Sequence, residues 1–346
     1  MIQWKWLRYA IMTGAIALVT SGCSILGSGG NDAIDPPPGT DAQTATTQPV
    51  TIDMAAQKLS QMTVYVKDAK GFVAPVSINM PQTLSVARSA LEYMVAGGPV
   101  SGLLPGGFSA LLPKGTLVKG INIVQDQKLA IVDFSKEFNN YEEKDERKLL
   151  EAVVWTMTGF PTVEKVQLWV EGTPLTEMPK GKTPLDEPLG RAIGINIEKS
   201  GNVDFGQSSP VTLYFLNQND ENYKYYVPVT RMVKRTDNIA RAVVNELIKG
   251  PDPNRGLAAV LNATTEVKAV KETEGLITVD FSEKLLGADK KASADGLQSI
   301  ILSLTENTGA SKVQIMVNGD VKVTSTDEHS YSRPVSRPVH LNPANM

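Results

Sequence analysis

The sequence predicts an α+β protein of two tandem homologous domains, each ordered about β-β-α-β-β-α-β with two helices on a mostly antiparallel sheet. Three observations carry that prediction. The stretch 129–138, Leu-Ala-Ile-Val-Asp-Phe-Ser-Lys-Glu-Phe, returns 147 positions later as Leu-Ile-Thr-Val-Asp-Phe-Ser-Glu-Lys-Leu at 276–285. The match extends in both directions with drifting offsets: Val64-Tyr65-Val66 against Leu213-Tyr214-Phe215, Gly98-Pro99 against Gly250-Pro251, and Pro188-Leu189-Gly190-Arg191 against Pro334-Val335-Ser336-Arg337. Loop insertions in a duplicated unit produce such drift, and a unit of about 130 residues is one domain rather than one turn of a solenoid. Third, the apolar spacing changes between strand and helix period at matching points in both copies.

A chain of 346 residues has room for two cores, and 42% hydrophobic with 21% charged residues is a globular composition. The net charge of −3 supplies no basic field to displace phosphate counterions, so nucleic acid is not an expected partner. Cys23 is the single cysteine, which excludes an intrachain disulfide and a thiolate metal cluster. The only histidines are His329 and His340, both near the C-terminus.

In chain order, 1–22 reads as an export signal: Lys5 and Arg8, an apolar run over 7–19, then Thr20-Ser21-Gly22 directly before Cys23. The run is shorter than the roughly 20 residues a membrane span needs. Residues 23–61 are rich in Gly, Ser, Pro, Thr and Gln, and read as a disordered tether reaching roughly 35 Å. The first domain is placed at 62–196, a linker at 197–210 and the second domain at 211–346.

Strands are expected at 62–67 and 72–79, with Pro75 confining the latter to an edge. Thr83 is the expected cap of a helix whose stripe is Ala87, Ala90, Leu91, Met94 and Val95, ended by Gly97-Gly98-Pro99. A hairpin of 117–124 and 128–134 turns at Gln125-Asp126-Gln127. A second helix over 143–158 buries Leu150, Val153, Val154 and Met157, and the strand 164–170 follows. The second copy uses Ile239, Ala242, Val243 and Leu247 under a Thr236 or Asp237 cap, a hairpin of 266–271 and 275–281, a helix burying Leu297, Ile300, Ile301 and Leu304, and the strand 312–317. The closing segments 188–196 and 334–342 are each expected to fold back on their own domain.

No catalytic, cofactor-binding or metal-ligating residue is assigned. Asp133 and Asp280 recur, but an aspartate at a strand exit also serves by bonding its own downstream backbone in a turn, beside Phe134 and Phe281 as core anchors. The charge run 142–148 reads as a solvated first helical turn. The Gly-rich stretch 97–107 lacks the Lys-Ser/Thr ending of a phosphate loop. Tyr223, Tyr225 and Tyr226 are either a sugar- or protein-binding edge or ordinary strand residues. Arg191 and Arg337, present in both copies, are expected to reach Asp133 and Asp280.

The repeated Val-Asp-Phe-Ser, the helix-ending Gly-Pro, the Val-x-x-x-Val-x-Gly strands (Val166 to Gly172, Val313 to Gly319) and the Pro-Leu/Val-x-Arg closures resemble the GerM family of sporulation and germination lipoproteins with two GerMN domains. The resemblance covers nearly everything from Met62 onward. It implies a protein needed for sporulation and efficient germination, anchored by diacylation of Cys23 on the extracytoplasmic side of the membrane, with domains similar to ring-building modules of channels. In a sporulating cell that side is the space between the mother-cell and forespore membranes. Its expected partners are the membrane, other sporulation envelope or channel proteins, and further copies of itself. Two functions remain open: a non-enzymatic scaffold, or an envelope protein that binds or modifies peptidoglycan of the cortex.

Overall fold

A computed structural model describes residues 59–198 and 205–344. The expected signal, Cys23 and most of the tether lie outside the described residues. The first repeat opens with an antiparallel hairpin of β1 (Leu59–Lys67) and β2 (Val73–Pro81). Then come α1 (Val86–Glu92), β3 (Val118–Val124), β4 (Leu129–Phe134), α2 (Glu146–Met157), β5 (Lys165–Val170) and the short β6 (Thr173–Pro174). The second repeat has the same order: β7 (Ser208–Gln218), β8 (Lys224–Lys234), α3 (Ile239–Lys249), β9 (Val267–Thr273), β10 (Leu276–Phe281), α4 (Ala294–Thr308), β11 (Lys312–Val317) and β12 (Val335–Ser336). No described helix is long and apolar enough to cross a membrane.

Each repeat divides its strands between a two-stranded ladder and a four-stranded sheet, ordered β3-β4-β5-β6 and β12-β11-β10-β9. Pairing is antiparallel except between β4 and β5 and between β10 and β11. Those two pairs are parallel because α2 and α4 serve as their crossovers. The first helix of each repeat is capped later than expected, at Ser85 rather than Thr83 and at Asn238 rather than Thr236 or Asp237. Thr83 and Thr236 accept from the N–H of Ser85 and Asn238, which are the caps, and Asn238 Oδ1 accepts from Arg241 N. Arg88 and Arg241 then tie helix to sheet identically, each donating to two consecutive edge-strand carbonyls, Val118 and Lys119 in one copy, Val267 and Lys268 in the other.

The closing segments begin on their own domains: Leu189 exchanges hydrogen bonds with Val166 on β5, and Val335 pairs Val313 on β11. They then cross, contrary to the expected return. Ile195 N and O bond Thr230 Oγ1 and N on β8, and Glu198 N reaches Thr230 O. Reciprocally, Leu341 N and O bond Ser77 Oγ and N on β2, and Ala344 N reaches Ser77 O. Between these contacts, Asn196 exchanges two bonds of 2.8 and 2.7 Å with Val73 and gives a third to Pro228 O. Asn342 does the same with Tyr226 and Pro75 O. Pro75 and Pro228 sit inside regular ladders, on the outer edge where no neighbouring strand needs their missing N–H. Phe72 and Ala74 of the first repeat complete the second repeat's core.

Asn196 and Asn342 are buried and hold positive φ (47° and 52°), a region asparagine tolerates better than most residues. Replacing either with Ala orphans buried main-chain groups of both repeats. We expect Asn196→Ala and Asn342→Ala each to lower unfolding free energy by about 2–4 kcal/mol, read from urea denaturation; a loss below about 0.5 kcal/mol in both would remove the clips from the account of stability.

Candidate functional site

The repeated Asp-Phe-Ser element is spent on structure. Asp133 Oδ1 accepts from Gly172 N at 3.0 Å, and Asp280 Oδ1 from Gly319 N at 2.9 Å. The turn so capped follows the neighbouring parallel strand rather than the aspartate's own strand. Ser135 and Ser282 accept from Leu117 N and Glu266 N, and Phe134 and Phe281 are fully buried. The two aspartates do not meet Arg191 or Arg337.

Both arginines instead converge on Glu306 near the end of α4. Arg191 Nη1 lies 2.5 Å from Oε1 and Arg337 Nη2 2.9 Å from Oε2. Each arginine also binds its own repeat's second helix, Arg191 Nε through Thr158 Oγ1 and Arg337 Nη1 through Thr305 Oγ1 and Leu302 O. Tyr214 OH donates to Glu306 Oε2 and accepts from Arg337 Nη2. The guanidinium of Arg191 lies 4.5 Å from the Trp155 ring centroid, and that of Arg337 5.1 Å from Tyr214. Burial pushes the Glu306 carboxyl up, but the charges of Arg191 and Arg337 and the donors on it outweigh burial and hold it below its ordinary value.

The copies differ here. Thr158-Gly159-Phe160-Pro161 stands where the second repeat has Thr305-Glu306-Asn307-Thr308. Pro161 cannot continue an α-helix, so α2 stops at Met157 while α4 runs to Thr308. Opposite Glu306 there is therefore no side chain, and a groove of about 500 Å³ opens between the first repeat and the crossing segment of the second. Its floor carries Arg191 and Arg337, and its walls include Tyr65, Phe160 and Val339. The break in the repeat at 159–160 against 306–307 is the sequence signal that could have located it.

Two other expectations resolve differently. In the charge run, Glu146 is buried, not solvated, and accepts from Tyr141 OH, Gly181 N and Thr183. Tyr225 joins the repeats, its OH donating to Asp68 at 2.7 Å and its ring lying edge-on to Phe108 at 4.8 Å, while Tyr223 OH donates to Asn342 O of its own repeat. Among the described residues no group of His, Cys, Asp and Glu could hold a metal ion.

Because the folded Glu306 titrates below its ordinary value of 4.5, its stabilisation is complete above that pH and is lost as acid takes it through the folded value. Glu306→Gln should cost about 3 kcal/mol at neutral pH by leaving two half-buried arginines without their buried counter-charge, and should flatten the acid side of the stability profile. Unchanged acid dependence in the variant would count against this assignment. Asp133→Asn keeps an acceptor oxygen for Gly172 and should cost less than about 1 kcal/mol, checked by thermal melting.

Comparison with known proteins agrees with the duplicated fold. The family model described as "Germane: Sporulation and spore germination" matches residues 63–176 and again 212–323. The spore germination protein GerM of Bacillus subtilis is 38% identical over 354 residues, covering 94% of both chains. The solved tandem GerMN domains of that sporulation protein superpose with a TM-score of 0.79 at 38% identity, over 83% of this chain and 100% of theirs. With both repeats matched and a relative this similar along nearly its whole length, the chain belongs to the Germane family of sporulation and spore germination proteins.

Proposed function

We propose that this sporulation and germination protein is a non-enzymatic assembly component, anchored through a lipid on Cys23 to the extracytoplasmic face of the membrane. It docks other sporulation envelope or channel proteins in the space between the mother-cell and forespore membranes. The observation that carries the reading is an apolar surface that is continuous in one copy and interrupted by charge in the other. Leu84 is fully exposed ahead of α1, and Leu84 and Val86 face Ile121 and Ile123 of edge strand β3 across a depression of about 330 Å³. The Arg88 and Arg241 contacts set the equivalence of the copies there. Asp237 stands at the place of Leu84, and the strand registers put Glu272 at the place of Ile123. An exposed apolar surface beside an unpaired strand edge fits protein docking, and the second copy's charges are what edge protection demands where nothing docks.

Leu84→Asp combined with Ile123→Glu installs the second copy's residues on the first. Heat-resistant spore counts and germination rate should fall several-fold with protein levels and melting temperature kept. Wild-type spores from that variant would sink the docking surface. Cys23→Ala should move the protein from the membrane fraction to the soluble one, and a membrane-bound Cys23→Ala protein would refute the anchor.

A further inference from the structure

The groove beside Arg191 and Arg337 contains an unused piece of strand edge. Ser77 gives its N–H and C=O outward to Leu341 and Ala344, so Thr63, its partner across the ladder, is in a non-hydrogen-bonded pair and also directs its main-chain groups outward. Tyr65, two residues on, does so as well, and its N–H is taken by Thr156 Oγ1 at 2.9 Å. In the second repeat the matching groups are all occupied. Tyr214 N donates to Ser303 Oγ at 3.0 Å, while Asn307 clips Thr212, accepting from its N–H at 2.8 Å and donating to its C=O. The first repeat has Phe160 in place of Asn307, and among the described residues nothing pairs the main chain of Thr63, which lines the groove.

The charge balance has the same gap. Two guanidinium groups share the single carboxylate of Glu306, and the position that would supply the second is Gly159. Arg191 places Nε and Nη1 on internal partners and Arg337 places Nη1 and Nη2, so Arg191 Nη2 and Arg337 Nε have none among the described residues. Each arginine side chain is about three-tenths exposed, at 30% and 29%. In the second copy, then, one amide and one carboxylate on adjacent residues fill the site. In the first, an edge donor, an edge acceptor and two cationic forks stand ready around apolar walls.

We propose that this groove binds the free C-terminal end of an extended peptide. A main-chain amide near the end pairs with Thr63 N–H and C=O, the terminal carboxylate sits against Arg191 and Arg337, and an apolar side chain lies on Phe160 and Val339. Edge pairing supplies affinity independent of sequence, and the arginine forks select a carboxylate over an amide. Pairing along Thr63 continues a strand of L-residues, so the occupant is the C-terminus of a protein rather than a wall stem peptide ending in D-residues.

The test uses the full chain and fluorescein-labelled hexapeptides read by fluorescence anisotropy: one series ending in an apolar L-residue, one ending in D-Ala-D-Ala, each as free acid and as C-terminal amide. We expect the free acid of the L-series to bind and its amide to bind about tenfold more weakly or worse. Binding of the L-series supports a protein terminus, and binding of the D-series alone would assign the wall peptide and overturn it. Gly159→Glu with Phe160→Asn, which writes the second copy's residues into the first, should abolish binding. A Cβ on Gly159 would lie 3.1 Å from Thr156 O, so Val339→Asp, at a position 86% exposed, provides a second variant safe for the fold, expected to weaken the acid selectively. No binding by any peptide, equal binding of acid and amide, or unchanged binding in both variants would overturn the proposal.

Discussion

The outer edges of β2 and β8 face each other with their main-chain groups unpaired, and the rest of the molecule is arranged to satisfy them. An isolated two-stranded hairpin is marginally stable in water, and an open edge invites association. Direct zipping of the two edges is blocked because Pro75 and Pro228 contribute no N–H. The closing segments supply what is missing. Each leaves its own four-stranded sheet, places an asparagine between the edges and lays a few residues of strand along the other repeat's hairpin. Every outward group of Val73, Pro75 and Ser77 is met, and so is every one of Tyr226, Pro228 and Thr230. Two domains that lend each other their last residues in this way form one body, and the shared core around Phe72 and Ala74 follows from the same geometry.

Duplication then permits the copies to diverge where symmetry does not require agreement. The second repeat is the closed copy: Glu306 and Asn307 fill the space at the end of its long helix, and Asp237 and Glu272 charge its surface. The first repeat is the open copy, with Gly159, Phe160 and Pro161 shortening α2, and Leu84 and Ile123 leaving apolar surface uncovered. Groove and patch share Val86 as a lining residue, so the two open features adjoin. The copy whose own side chains fill these positions stabilises the block, while the other keeps surface available for contact.

The sequence showed the duplication, the helical stripes and the structural use of Asp-Phe-Ser, because these depend on local spacing and on features present twice. It did not show the exchange of closing segments. A repeat match looks the same whether 188–196 and 334–342 return to their own domains or trade places, since the contacts are equivalent in type and differ only in which copy supplies them. The partner of the arginines was hidden for a related reason. Arg191 and Arg337 are equivalent positions of the two copies, which points to a partner present in both, as Asp133 and Asp280 are. A residue reached by both arginines at once needs to exist only once. Glu306 is that residue, and its appearance in one copy made it look like ordinary divergence. Glu146 was misread because a dense charge run does not reveal which of its members turns inward toward Gly181 and Thr183.

Rigidity between the repeats bears on how such a protein acts. Domains joined by a flexible linker must be ordered relative to one another when a partner binds across them, and that ordering is subtracted from affinity. Here the joining is done in the folded state by reciprocal main-chain pairing, the ion triad around the buried Glu306 and the Tyr225–Asp68 hydrogen bond. The surface that a partner meets is consequently preformed, including the part of the groove wall contributed by the second repeat's closing segment through Val339. The arrangement also explains why the closing segment cannot be trimmed without penalty. Removing it would uncover the edge of β2 and dismantle one side of the groove together, so stability and recognition are carried by the same stretch of chain.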